Sequence, residues 1–309
     1  MKRMRLAVVM LCLFAVVTIF IQVNTMMQYQ PTVLRLTMCD VGQGDAILIA
    51  WQSNQVLIDA GRGEKVLSCL WSELPFFDRT LELVVATHPD ADHIGGLPLV
   101  FDQFSIQSLL LPPVTRETAD FVALSHSVSR EIELIGRVVP AKRGQKIILA
   151  DELTLTVLAP LAQPGKNKLK KSLATETELS AFADFQPIPD GESNNWSIVL
   201  LLQYKHFTTL LTADAETPLE LALLQAGVVD DIDVLKVGHH GSKSSTTEAF
   251  LRIISPETSL ISVGKNNPYG HPTEVVLDRL RDRGVEILRT DELGSVSIES
   301  DGERYWVAR

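Results

Sequence analysis

Short apolar runs that end on an aspartate or a histidine recur along this chain, and no other feature constrains its fold as much. Asp59 follows "VLI", His88 follows "LVVAT" and Asp214 follows "LLTA". His239 and His240 follow "VLKVG", and His271 follows "ISVGKNNPYG". Apolar runs of about four to eight residues between turn signals read as buried strands. A titratable group at the end of a buried strand needs a partner or a ligand. A sheet protein whose strands end at one edge would gather these groups in one place.

The densest stretch is "THPDADHIGG", residues 87–96. A tight turn after a strand can aim alternate side chains at one spot. His88 and Asp90 can then face one metal ion, and Asp92 and His93 a neighbouring one, with Asp214 bridging through its two oxygens. Two ions roughly 3.5–4 Å apart can share a hydroxide and clamp a phosphoryl group.

Strands dominate the remaining pattern, with helices placed after them. "TVLRLTMCDV" reads as a strand, and "DAILIAWQSNQVLIDAG" as two strands around a turn at Ser53 and Asn54. A helix is expected over about residues 64–72, and "HIGGLPLVFDQF" continues as helix or helical turn. "WSIVLLLQYKHFTTLLTAD" reads as an antiparallel pair turning near Tyr204 and Lys205. "TPLELALLQAG" is a helix started by Pro218 and stopped by Gly227, and "PTEVVLDRLRDRG" is a helix with Pro272 early and Gly284 at its end. The terminal "SVSIESDGERYWVAR" is a hairpin around an Asp-Gly turn. Two similar halves, divided near residue 150, suit a layered α/β sandwich with helices outside. Residues 161–194 lack a firm strand signal and carry the basic "KNKLKK". They read as an insertion, either a solvated loop, or a lid or phosphate-contacting arm.

The 309-residue chain has a formal net charge of -10, which disfavours broad, non-specific binding of nucleic acid. Residues 1–30 are set apart from a main domain over 31–309. "MKRMR" precedes "LAVVMLCLFAVVTIFIQV", residues 6–23, an uncharged run nearly long enough to cross a hydrocarbon core. No Ala-x-Ala-like cleavage site precedes Tyr29, so the expectation is an anchor with Lys2, Arg3 and Arg5 inside and the main domain extracytoplasmic. Secretion after cleavage is the alternative. Cys39 and Cys69 can form one disulfide in an exported protein, or Cys39 can stay a buried thiol.

The motif resembles the H-x-[HD]-x-D-H loop of metallo-β-lactamase fold hydrolases. More closely, the chain resembles the extracytoplasmic hydrolase-like domain of the ComEC/Rec2 DNA-internalisation proteins. The matching pieces are "DVGQGDAILI", "VLIDAG", "THPDADHIGG", "NNWSIVL", "LLTADA", "LKVGHHGSKSS", "NPYGHP" and "TDELGSVSI", in family order over roughly residues 33–300. The resemblance implies an αββα sandwich of two mixed sheets with outer helices. It implies His88 and Asp90 as ligands of a first ion, Asp92, His93 and His271 of a second, and Asp214 as the bridge. His240 would contact the phosphate or assist the leaving group, and Asp92 would also orient the attacking water. Asp59 and "GQGD" would be structural.

Two departures from the lactamase pattern stand out. Asp90 replaces a common histidine, and Asn194-Asn195 stands where a third first-site histidine often falls. Oxygen donors shift the preference from zinc toward manganese or magnesium, and one or two ions are expected. Asn195, His239, Ser242 and Lys243 are candidates for phosphate contact or for holding a ligand; Ser242, Ser244 and Ser245 can equally cap the next helix.

These features lead to a metal-dependent phosphodiesterase or nuclease, with a metal-activated hydroxide attacking phosphorus and Asp92, Asp214 and His240 as catalytic residues. DNA or a small phosphodiester is the expected substrate. With one apolar run, the chain is not expected to be a complete DNA importer by itself. A non-catalytic DNA- or protein-binding module of the envelope is the alternative. A β-lactamase or thioesterase activity is the third reading.

Overall fold

The computed structural model describes residues 2–28, 33–130, 135–161, 185–189 and 191–308. Two mixed sheets face each other. The first has eight strands in the order Tyr305–Ala308, Val296–Ser300, Leu34–Met38, Ile47–Trp51, Asn54–Ile58, Leu83–Val85, Leu109–Leu111 and Val138–Pro140. The second has seven: Lys146–Ala150, Leu153–Ala159, Val199–Tyr204, Phe207–Leu211, Val234–Lys236, Thr258–Ile261 and Glu286–Arg289. This is the expected αββα sandwich. The two halves meet near residue 150 as anticipated, except that the C-terminal hairpin returns to pair with Leu34–Met38 in the first sheet.

Alternation along the strands builds the layers. Ile47 and Ile49 face inward to pack with Leu155, Leu200, Leu202 and Leu260 between the sheets. Leu48 and Leu57 face outward onto Val66, Leu70, Leu97 and Phe101 of the helical layer. On the other side, Leu210, Leu235 and Ile261 pack against Leu219, Leu223, Phe250, Val276 and Leu280. A period of two is what a sheet covered on both faces requires. Each fully buried aliphatic side chain contributes roughly 1.5–3 kcal/mol.

Helices Lys65–Glu73, Leu97–Phe101, Thr217–Ala226 and Glu274–Arg281 fall where the sequence placed helices, and Ala91–Ile94 and Glu248–Ile254 join them. Gly227 takes the left-handed conformation that closes Thr217–Ala226. The helix Ala119–Arg130, whose Phe121, Leu124 and Val128 are buried, was not anticipated. Nor was Gln186–Pro187, a short strand that pairs in parallel with Val114–Thr115 inside the expected insertion. Residues 162–184 and 190 of that insertion lie outside the described residues.

The N-terminal run forms a helix, Lys2–Gln28, with side chains described from Val9 to Gln22. Val9, Leu11, Phe14, Val17 and Phe20 are all exposed. Among the described residues, no helix is long and apolar enough to cross a membrane. Cys39 and Cys69 form a disulfide that ties the end of the first strand to helix Lys65–Glu73.

In each sheet, four consecutive strands run parallel: Asn54–Ile58, Leu83–Val85, Leu109–Leu111 and Val138–Pro140 in the first, and Phe207–Leu211, Val234–Lys236, Thr258–Ile261 and Glu286–Arg289 in the second. Their C-terminal ends therefore share one edge, and the strand-end aspartates and histidines meet there.

Candidate metal centre

The turns at this edge are tight and strained. Asp59, Ala213, His239 and His240 all have positive φ, a region that non-glycine residues rarely adopt. Gly44 approaches so closely that a Cβ there would lie 2.0 Å from the Asp92 carbonyl oxygen. Only glycine lets the "GQGD" loop pass over Asp92. Asp45 N–H then donates to that carbonyl at 3.1 Å.

Three histidines point the same kind of atom into the edge. His93 donates from Nδ1 to Asp59 Oδ2 at 2.7 Å. His240 donates from Nδ1 to the Ser262 carbonyl at 2.8 Å. The Thr87 hydroxyl donates to Asp59 at 2.6 Å, which leaves it to accept from His88 Nδ1 at 3.1 Å. Each hydrogen bond fixes the tautomer and directs the Nε2 lone pair inward. The Nε2 atoms of His88, His93 and His240 are buried without a hydrogen-bond partner, and so is Asp214 Oδ1. His93 Nε2 lies 3.3 Å from Asp214 Oδ1, and His240 Nε2 lies 3.5 Å from it and 3.6 Å from Asp92 Oδ2. Buried ring nitrogens and a carboxylate oxygen without hydrogen-bond partners are costly unless something binds them. Imidazole and carboxylate donors at this spacing fit a divalent cation.

The electrostatics agree. Burial disfavours charge on His93, yet Asp214 and Asp59 hold its pKa well above the ordinary value. Burial likewise opposes charge on His240, but Asp214 and Asp45 push it up to about 9. Burial would raise Asp214, whereas His240 and His93 hold it well below the carboxylate range. Burial and the neighbouring His93 lower His88. A pocket that draws protons onto His93 and His240 is holding positive charge in the place a cation would take.

Residues 39–265 match the model of the metallo-beta-lactamase superfamily. The chain belongs to that superfamily. It is 30% identical over 278 residues to ComE operon protein 3 of Bacillus subtilis, covering 84% of this chain and 32% of that protein. It is 26% identical over 294 residues to Recombination protein 2 of Haemophilus influenzae, covering 94% and 32%. Competence protein ComA of Neisseria gonorrhoeae is 39% identical over 108 residues, covering 35% and 16%. The chain thus spans about a third of the length of the first two relatives. Among solved structures, it resembles Igni18, a metallo hydrolase of Ignicoccus hospitalis, with a TM-score of 0.50 at 12% identity, covering 86% of this chain and 98% of that one.

Within this superfamily fold, the expected ligands do not all converge. His88, His93 and Asp214 form one group of donor atoms within 4.8 Å of one another, and Asp92, His93 and His240 form another. His240, expected at the phosphate, is buried and falls in one donor group with Asp92 and His93. The reason is topological: Lys236 ends the strand next to Phe207–Leu211, so its loop emerges beside Asp214. His271 belongs to none of these groups; its loop is held by Asn267, and its ring stacks on exposed Tyr269 at 5.9 Å. Asp90 also belongs to none: Arg116 pairs with Oδ1, and Ser193 donates to Oδ2 at 2.6 Å.

The supporting candidates separate in the same way. His239 donates from Nδ1 to Glu216 at 2.8 Å, and its Nε2 lies 3.7 Å from Asp214 Oδ2. Asn194, not Asn195, reaches toward His239; Asn195 is exposed. Ser242 bonds to Ser244, which donates to Glu216, while Lys243 is exposed. Asp59 does more than close a turn, because it orients His93.

Sequence reasoning missed three residues. Asp45 pairs with the fully buried Lys236, and Lys236 Nζ also donates to the Ala213 carbonyl at 2.7 Å. Arg116 was the third. A lysine inside the apolar run "DVLKV" was the available signal, because a buried ammonium requires carboxylate or carbonyl partners.

Proposed function

We propose that this chain is a metal-dependent phosphodiester hydrolase of the bacterial envelope, acting on DNA or a related diester. The observation that carries the reading is the convergence of unpartnered Nε2 atoms on Asp214. An ion held there supplies positive charge to a phosphoryl group and makes water acidic enough to attack at neutral pH.

The chain's own residues do the rest. Asp59 and the Ser262 carbonyl keep His93 and His240 in the ligating tautomer. Glu216 accepts from His239 and so keeps that ring directed at Asp214. His239 is about a quarter exposed, whereas His240 is buried, so His239 takes the role of handing a proton to the leaving oxygen. Asp92 and Asp214 keep enough negative charge to retain an ion. Mixed imidazole and carboxylate donors suit zinc or manganese, with magnesium the weaker match.

The names of the relatives, which speak of competence and recombination, support DNA as the diester. The Cys39–Cys69 disulfide supports an oxidising, extracytoplasmic setting. The basic flank and the apolar run over residues 6–23 support a membrane tether.

Incubation of the full chain with a labelled single-stranded oligonucleotide and manganese or zinc tests the substrate. Cleavage that disappears in Asp214→Ala and His93→Ala is expected. Binding of the oligonucleotide without cleavage would favour a non-catalytic module.

A further inference from the structure

We infer that the centre holds one divalent ion, not two, and that the guanidinium of Arg116 takes the place of the other. The inference deepens the proposed function and rests on its reading of the edge cluster as the ion site.

The donors decide the count. The group containing His88 and the group containing Asp92 and His240 both use His93. His93 Nδ1 is committed to Asp59, so only Nε2 remains, and its single lone pair serves one cation. With His93 given to Asp92, His240 and Asp214, the other half retains His88, one oxygen of Asp214 and Asp90. Asp90 Oδ2 lies 3.6 Å from His88 Nε2, but Arg116 pairs with one oxygen of that carboxylate and Ser193 donates to the other, so its charge is already matched by a cation. Asn194, on the same short turn as Ser193, is turned toward His239. That half therefore offers one imidazole, one oxygen of Asp214 and a carboxylate already neutralised by a guanidinium, a weak set for a divalent ion.

Arg116 is also an obstacle in itself. A guanidinium keeps its charge at any working pH. Placed against Asp90, it neutralises the carboxylate that a first ion would need and repels a divalent cation beside it. The device is built into the fold. Val114–Thr115, which leads directly into Arg116, is pinned in parallel by Gln186–Pro187, and the Ile188 N–H donates to the Thr115 carbonyl at 3.1 Å. That strand pair therefore holds Arg116 against Asp90, while Ser193 comes from the short turn Ser193–Trp196. The centre keeps two positive charges of unlike kind: a replaceable ion beside Asp92, and a fixed cation beside Asp90.

Ion stoichiometry tests this without reading turnover. The full chain, stripped with chelator and titrated with manganese, is counted by calorimetry and by native mass spectrometry. The expected result is one ion per chain in the wild type, one in Arg116→Lys, and two in Arg116→Ala. Two ions in the wild type overturn the inference, and so does a single ion in a folded Arg116→Ala. If Arg116→Ala does not fold, the wild-type count decides alone. A chain that binds one ion yet cleaves no diester would sink the hydrolase reading and leave this one standing.

Discussion

The carboxylate of Asp59 accepts the Nδ1 proton of His93 at 2.7 Å, joining the end of one strand to the loop after the next. Asp59 is fully buried and also accepts from both the backbone N–H and the hydroxyl of Thr87. It therefore sets the orientation of one histidine directly and of His88 through Thr87. Asp59→Asn should weaken ion binding by about 10–100-fold, as loss of a ligand's outer hydrogen bond generally does. Calorimetric titration with zinc checks this. Unchanged affinity would mean that Asp59 only closes its turn.

His239 and His240 adjoin in sequence and differ in task. His240→Ala should abolish tight ion binding. His239→Ala should keep the ion but lower kcat by about 10²–10⁴, the usual contribution of a positioned acid or base. His271→Ala should keep the ion as well. Ion content of the three purified variants, read with their kcat values, separates the roles.

The protonated histidines make ion binding pH-dependent. An ion needs neutral imidazole, whereas His240 without the ion carries its proton up to about pH 9 and His93 is held well above its ordinary value. Binding therefore releases protons, and affinity should climb between pH 6.5 and about 9. The ion-free protein should behave in the opposite sense. His240 has a folded pKa above its unfolded value, so its stabilisation is complete below about pH 6.5 and is lost as pH rises through about 9. Asp214, held low, contributes stability that disappears in acid as pH falls through its depressed folded pKa. Melting curves of the stripped and loaded protein across this range check both signs.

The disulfide encloses a sequence separation of 30 residues. Its loop length corresponds to about 3.5 kcal/mol on the chain-entropy account. Replacing both Cys39 and Cys69 with alanine should lower stability by roughly 2–4 kcal/mol in urea melts, without changing the ion count.

Local signals carried far into the fold. Gly227 marked the end of its helix, Asp301-Gly302 marked the final hairpin, and the unbroken apolar run "AILIAW" marked a strand covered on both faces. Each is a short-range steric or hydrophobic requirement. The strand-end aspartates and histidines announced the centre for the same reason. Pairings between distant segments were not legible. Arg116 meets Asp90 across 26 positions and Ser193 meets it across 103, and no local pattern encodes either contact. The grouping of His240 with Asp92 and His93 depended on strand order, because His240 and His271 both follow apolar runs and only the sheet decides which loop emerges beside Asp214. Lys236 was hidden inside a strand, where its apolar neighbours masked an ammonium that ties Asp45 to the centre.

The most direct test of the account is turnover of bis-p-nitrophenyl phosphate by the stripped full chain as manganese or zinc is added back. The account predicts no turnover without the ion, a rise that saturates once the centre is filled, and loss of that rise in Asp214→Ala. A folded, ion-loaded chain that hydrolyses the diester no faster than the buffer would contradict it.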